Sequence, residues 1–285
     1  MKPVRYYCLI LLIGICLPSV SLFAGNENQP AGARRLALGG AFMGVQGSFW
    51  NLWGNPAGIA GVESAEAGVF FERRFLLDQL NFGTVGFVLP FQGTHYAGLA
   101  ISGLGFGGYN ESNVGLNYAT TLFDRLSLGA AVHYTRTSIT EYGASGAVIV
   151  NAGLNARLFE GFSVGFRVFN ANQAALRTEF TDLREPIPTT IDLGIAYQVS
   201  DKVLLVADMQ KQVEFNPSFR GGVEYAFHKN FRARVGASNQ PVTINAGFGF
   251  SGKGFDLDFS NSFHELLGYT PALSLNYRFK SGGKE

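Results

Sequence analysis

The 285-residue sequence predicts an all-β fold: a transmembrane antiparallel β-barrel of about fourteen strands, with an N-terminal segment plugging its lumen. Three observations carry this expectation. Apolar and polar residues alternate with period two over runs long enough to cross a bilayer as tilted strands. The chain is 47% hydrophobic and 15% charged, yet beyond its first residues no apolar run reaches the ~18 residues of a membrane helix. The connections between runs are alternately short and longer, as in outer-membrane barrels.

Residues 1–24 read as a secretory signal peptide, with Lys2 and Arg5 as its basic start, Cys8 to Val20 as its apolar stretch and Ser19-Val20-Ser21 or Leu22-Phe23-Ala24 as the processing site. A lipoprotein anchor on Cys16 is disfavoured by the β-branched Ile15 before it. Both cysteines lie in this segment, so neither a disulfide framework nor a cysteine metal site is expected beyond it. Removing Lys2 and Arg5 from 22 basic residues leaves 20 against 21 acidic ones, a net charge of −1 that implies no nucleic-acid partner.

Residues 25–61 are expected to form the plug. The stretch "GGAFMGVQGSFWNLWGNPAG", Gly39 to Gly58, holds six glycines and two tryptophans. Glycines let a backbone turn inside a confined space, Trp50 and Trp53 supply bulk, and Asn55-Pro56 is a turn pair that brings the chain to the wall.

Residues 62–285 are expected to form the barrel, with strands near 62–75, 79–89, 94–103, 110–122, 125–138, 145–158, 161–171, 188–199, 202–212, 217–228, 230–238, 241–250, 254–263 and 270–280. The alternation is clearest in "FRGGVEYAF", where Phe219, Val223, Tyr225 and Phe227 oppose Arg220 and Glu224, and in "FDLDFS", where Phe255, Leu257 and Phe259 oppose Asp256 and Asp258. These runs exceed the ~5–6 residues usual in soluble sheets, which argues against a β-sandwich. With the first strand starting in the periplasm, the short turns fall on that side and the longer connections outside, near 103–110, 139–144, 172–187, 212–217 and 264–269. Tyr118, Tyr134, Tyr197, Tyr225 and Tyr277 suit interfacial girdles. The apolar faces meet outer-membrane lipid, because only a closed sheet satisfies its backbone in hydrocarbon.

Inward-facing charges, Arg220, Glu224, Arg232, Arg234, Asp256 and Asp258, are candidates to solvate the lumen or grip the plug. The histidines His95, His133, His228 and His264 show no ligand spacing, so neither metal nor cofactor is expected, and no Ser-His arrangement argues for an enzyme. "GLGFGG", Gly103 to Gly108, lacks a following helix and reads as a surface loop rather than a nucleotide site. The longest connection, Asn172 to Pro188, carries Leu176, Phe180, Leu183 and Ile187, which suit either a partner or lid or self-packing over the barrel mouth. Near the C-terminus Tyr277 and Phe279 have the spacing of an assembly signal read by the barrel assembly machinery.

"GARRLALGGAFMGV" followed by "WGNPAGIAGV" resembles the N-terminal signature of FadL-like outer-membrane proteins, and more closely that of the PorV/PorQ group. Gly32, Arg34, Gly39, Gly40, Phe42, Asn55, Pro56 and Gly58 match the motif, while Gly47 and Ser48 replace its acidic pair. The PorV/PorQ resemblance implies a non-enzymatic accessory of type IX protein secretion or surface attachment in a Gram-negative outer membrane, with secretion-system or cargo proteins as partners at the extracellular face. The broader FadL-like resemblance implies the alternative, a passive channel for hydrophobic small molecules with an N-terminal hatch and a lateral route. A third reading is a barrel that only scaffolds a larger complex. A side gap in the wall would favour transport; a sealed wall under an apolar outer loop would favour protein partners.

Overall fold

A computed structural model describes residues 30–178, 184–213 and 215–280. The signal-peptide reading of residues 1–24 and the residues Phe180 and Leu183 lie outside the described part. Fourteen strands make one antiparallel sheet closed on itself, since every wall strand pairs with two neighbours and β5 pairs with β6 to complete the ring. In chain order they are β1 (Glu66–Arg73), β2 (Asn81–Phe91), β3 (His95–Phe106), β4 (Tyr109–Leu122), β5 (Leu126–Ile139), β6 (Gly143–Phe159) and β7 (Phe162–Phe169). Two short strands, β8 (Ala175–Thr178) and β9 (Arg184–Pro186), form a hairpin in the long connection. The wall resumes with β10 (Thr190–Ser200), β11 (Val203–Gln212), β12 (Ser218–His228), β13 (Phe231–Asn239), β14 (Val242–Gly252), β15 (Phe255–His264) and β16 (Gly268–Arg278). The hairpin was not expected from the sequence.

Period-two patterning sets which side chain faces which medium. Val69, Phe71, Val85, Phe87, Leu116 and Phe248 point outward and stay exposed, whereas Asn155, Arg167, Asp192, Asp258 and Ser274 point inward and are buried. Polar inside and apolar outside is the reverse of a soluble sandwich and matches a bilayer as the outer solvent. At one end of the barrel every connection is a short turn, and aromatic rings cluster beside these turns: Phe91 on His95, Phe159 on Phe162 and Tyr197, and Phe255 on Tyr277. Tyr118, Tyr197, Tyr225 and Tyr277 belong to this end, but Tyr134 pairs with Val114 and Val148 nearer the middle. At the other end lie the longer connections, 74–80, 170–189 and 213–217. Two connections there are tight turns. The expected loop around 103–110 shrinks to Gly107 and Gly108, both at positive φ, so that β3 and β4 run on into the "GLGF" residues; residues 240–241 likewise join β13 to β14.

Ahead of β1, residues 30–62 hold one short helix, α1 (Ala33–Ala37), and two 3₁₀ turns, Phe49–Trp53 and Pro56–Ile59. α1 stops where Gly39 and Gly40 adopt positive φ and their amides return to Leu36 and Arg35 carbonyls. At Asn55 the side chain accepts from the Ala57 amide at 3.1 Å, and Pro56 supplies the fixed φ that opens the second 3₁₀ turn.

Candidate functional site

Residues 31–62 are almost wholly buried, and their partners are inward-facing wall residues. Ten wall strands place a glycine against this segment: Gly68, Gly86, Gly98, Gly129, Gly153, Gly165, Gly194, Gly222, Gly236 and Gly247. A Cβ on Gly68 would lie 2.6 Å from the Phe49 ring, and one on Gly222 would lie 2.7 Å from the Leu38 backbone. The glycines therefore allow the chain to touch the wall directly.

The motif residues account for themselves by packing. Gly32, at φ 101°, abuts Trp50; Gly39 abuts the Ala237 backbone; Gly58 abuts the Asn51 side chain. Gly40 lies beside the Arg220 side chain. Phe42 is fully buried under the Arg34 guanidinium, 5.7 Å from its ring centroid. Phe49, Trp50 and Trp53 pack against one another, and Trp50 meets Phe70 of β1 edge-on, which in turn meets Phe82 of β2. Asn55 donates to the Met43 carbonyl at 3.2 Å and to the Leu154 carbonyl of β6 at 3.0 Å.

Charged groups fasten the segment at several points. Arg34 makes two hydrogen bonds to Glu224, at 2.8 and 3.0 Å; Arg234 links Glu224 to Asp258, both at 2.6 Å; Arg232 stands 3.8 Å from Glu224. Burial lowers the Arg34 pKa, and the charge and hydrogen bonds of Glu224 more than reverse it, so it ends above the ordinary arginine value. Arg35 faces no carboxylate partner: it donates to the Trp53 carbonyl, and its Nη2 has no partner among the described residues. Burial first, then the Arg167 and Arg220 charges, push its pKa down to about 9. Of the charges singled out in the sequence, Asp256 bonds instead to Arg278 and Asn276, and Arg220 departs from the cluster to bond Gln210.

Other fastenings were not singled out in the sequence. Asp208 accepts the amides of Phe42 at 2.6 Å and Met43 at 3.0 Å. Arg167 binds Asp192 through Nε and Nη2 and the Gly54 carbonyl through Nη1. Parity marks such residues as inward-facing, but which of them converge depends on the shear of the closed sheet.

Chambers flank the segment. Towards the short-turn end a cleft of about 520 Å³ holds the Arg34–Glu224–Arg234–Asp258 cluster. Towards the other end, a cavity of about 70 Å³ is bounded by Leu52, Trp53, Phe82, Leu104, Ile149 and Phe169, with His133, Asn117, Asn151, Glu111 and Arg167 among its polar walls. Phe169 also borders a second chamber of about 380 Å³, in which amides and hydroxyls such as Gln210, Gln212 and Thr243 stand beside Leu36 and Pro241.

The wall changes character beside these chambers. β7 ends at Phe169 while its neighbour β6 continues towards the long-connection end, and beyond it Ala171 keeps one backbone bond to the Val150 carbonyl at 2.8 Å while side chains supply the others. Asn172 accepts from the Val150 amide at 2.9 Å and donates to the Val148 carbonyl at 2.8 Å; Asn151 accepts from the Asn170 amide at 3.0 Å. Above this seam, among the described residues, β8 pairs with β6 at Ser145 and Gly146. Ala147, Ile149, Phe169, Leu176 and Ile187 form a buried apolar cluster behind it. On the outer surface a crevice of about 420 Å³ runs along the seam, lined by Tyr134, Val148, Asn172 and Ala174.

No family model matches the chain, and no curated protein matches it in sequence. Solved structures do match in shape. They include the TodX monoaromatic hydrocarbon channel deltaS2 mutant, with a TM-score of 0.66 and 11% identity over 90% of this chain and 100% of that one. The P. putida toluene transporter TodX gives 0.65 and 11% over the same shares. A Pseudomonas aeruginosa FadL homologue gives 0.61 and 15% over 88% of this chain and 98% of that one.

These likenesses overturn the closer resemblance. The expectation of a PorV/PorQ-type accessory of type IX secretion, with cargo or secretion-system partners, is corrected: the fold matches FadL-like channels. Its physical basis was thin, because Gly32, Gly39, Asn55 and Gly58 are used in packing the segment and report fold rather than partner. Leu176 and Ile187, for which a partner or lid and self-packing were both open, are buried against Ala147, Ile149 and Phe169, which is self-packing. The chain is an outer-membrane β-barrel with the fold of the FadL-like channels.

Proposed function

We propose that the protein is a passive channel for small hydrophobic molecules across the outer membrane. Residues 25–61 act as a plug fixed in the lumen of the barrel formed by residues 62–285, and solute leaves through the wall. The short turns and the N-terminus are periplasmic, and the longer connections face the exterior.

The seam at the end of β7 carries this reading. There an apolar cluster separates an inner cavity from an outer crevice, and asparagine side chains stand in for a stretch of sheet. Side-chain bridges open at lower cost than a continuous ladder of strand hydrogen bonds, each of which would be left unpaired in hydrocarbon. The plug role is supported by the belt of wall glycines and by the bonds to Asp208 and Glu224, which leave little reason for the segment to move axially. That similar folds are named as toluene and hydrocarbon channels supports the solute class. Tyr277 and Phe279, 5.0 Å apart near the last strand's end, are assigned to recognition by the assembly machinery.

The test is uptake of radiolabelled toluene by cells carrying the protein. Initial uptake rises over cells without it, and Ile149→Trp, which fills the cluster behind the seam, lowers it several-fold at an unchanged membrane level. Equal uptake with and without the protein would sink the reading.

A further inference from the structure

Phe169 borders two chambers of mixed lining on the long-connection side of the N-terminal segment. The first joins Leu52, Trp53, Phe82 and Ile149 to Asn113, Asn117 and Thr135. The second joins Gln210, Gln212, Gln240 and Ser262 to Leu36, Phe169 and Pro241. From these two linings we propose that the solute is a neutral amphiphile, a small apolar body carrying an uncharged hydrogen-bonding group such as a hydroxyl or carbonyl. The proposal deepens the channel reading above and rests on it.

Charge decides against an anionic head group. A carboxylate taken from water needs a cation with donors to spare. Arg167, the cation of the first chamber, is 1% exposed and already spends Nε and Nη2 on Asp192 and Nη1 on the Gly54 carbonyl. Arg220, the cation of the second, is engaged with Gln210. Glu111 also faces the first chamber and repels an anion.

The amides decide against a bare hydrocarbon. An alkyl or aryl group entering the second chamber displaces water from glutamine, threonine and serine side chains and offers no hydrogen bond in return, so each desolvated group is a loss. A hydroxyl or carbonyl restores the bond while the apolar body rests against Phe169 and Ile149, beside the seam. Gln212 and Gln240 are suited to this role, because neither side-chain amide is committed to another described residue.

Three probes of one ring and one methyl group separate the possibilities: toluene, 4-methylphenol and 4-methylbenzoate. Saturable uptake into liposomes holding the full chain is measured at neutral pH against protein-free liposomes, which report simple partitioning. The proposal expects half-saturation for 4-methylphenol at roughly tenfold lower concentration than for toluene, about the effect of one to two hydrogen bonds, and no saturable uptake of 4-methylbenzoate. The double substitution Gln212→Leu and Gln240→Leu removes that advantage, bringing 4-methylphenol and toluene to similar half-saturation, with toluene half-saturating at lower concentration than in the unsubstituted protein because the amides it desolvated are gone. Toluene equal to or better than 4-methylphenol, or preference for 4-methylbenzoate, overturns the proposal and leaves the channel reading standing. Absence of saturable uptake for all three overturns both.

Discussion

Asp208 shows how single residues hold the N-terminal segment. Its carboxylate is buried, accepts two successive backbone amides from Phe42 and Met43, and has no ion-pair partner among the described residues. An anion that accepts backbone N–H groups keeps both donors satisfied where water is absent. The wall glycines do complementary work by subtraction, since each omits a methyl group where the segment touches the wall. This predicts a contrast between two similar substitutions. Gly222→Ala puts a Cβ against the rigid Leu38 backbone and costs about 1–3 kcal/mol through overpacking. Gly83→Ala, whose nearest neighbour would be the Phe70 carbonyl at 3.9 Å, is tolerated. The midpoint of heat-induced mobility change on gels measures both; equal midpoints would remove the close-contact argument.

Among elements, the barrel strands were legible from sequence to within a few residues, because a strand that separates lipid from a polar interior must alternate at every position. The interruption at β7 was not. The sequence reading carries the seventh strand to residue 171, but the strand ends at Phe169, beyond which one backbone bond remains, from Ala171 to the Val150 carbonyl, and the side chains of Asn151 and Asn172 supply the other bonds. Nothing in the periodicity distinguishes an asparagine that sits in a ladder from one that replaces it. Asn172→Ala removes both bonds to the β6 backbone. It is expected to speed hydrogen exchange at the Val150 amide and to raise solute uptake, while the Val85 amide, between β1 and β3 in the intact wall, exchanges as before. Unchanged exchange at Val150 would mean that the seam is held by something other than Asn172.

At the scale of the whole molecule, closure makes the N-terminal segment consequential, because a ring of fourteen strands leaves an interior too wide for wall side chains alone to fill. Trp50 and Trp53 are 2% and 6% exposed and lie against Phe70 and Gly86, on the inner side of β1 and β2. Their emission is expected to resist quenching by brominated lipids, which reach the outer wall only. Deleting residues 32–54, which removes α1 and the first 3₁₀ turn, is expected to raise single-channel conductance in planar bilayers. Strong quenching together with unchanged conductance would place the segment outside the lumen.

By itself the sequence determined the barrel, its strand number and the inward or outward face of each side chain, because alternation, run length and connection length are local properties that a bilayer constrains directly. It also marked residues 25–61 as unlike the wall. Only the tertiary structure decided what depends on residues distant in the chain: that Arg34 meets Glu224, 190 positions away, that Gly222 and Gly236 both make room for Leu38, and that the wall yields beside Phe169. Those meetings follow from the stagger between strands as the sheet closes, and no local pattern encodes that stagger. The N-terminal motif was legible as a motif, but its glycines and asparagine serve packing against one another and against the wall, which says nothing of a partner. Hence it led to the wrong branch, and the shape of the closed barrel corrected it.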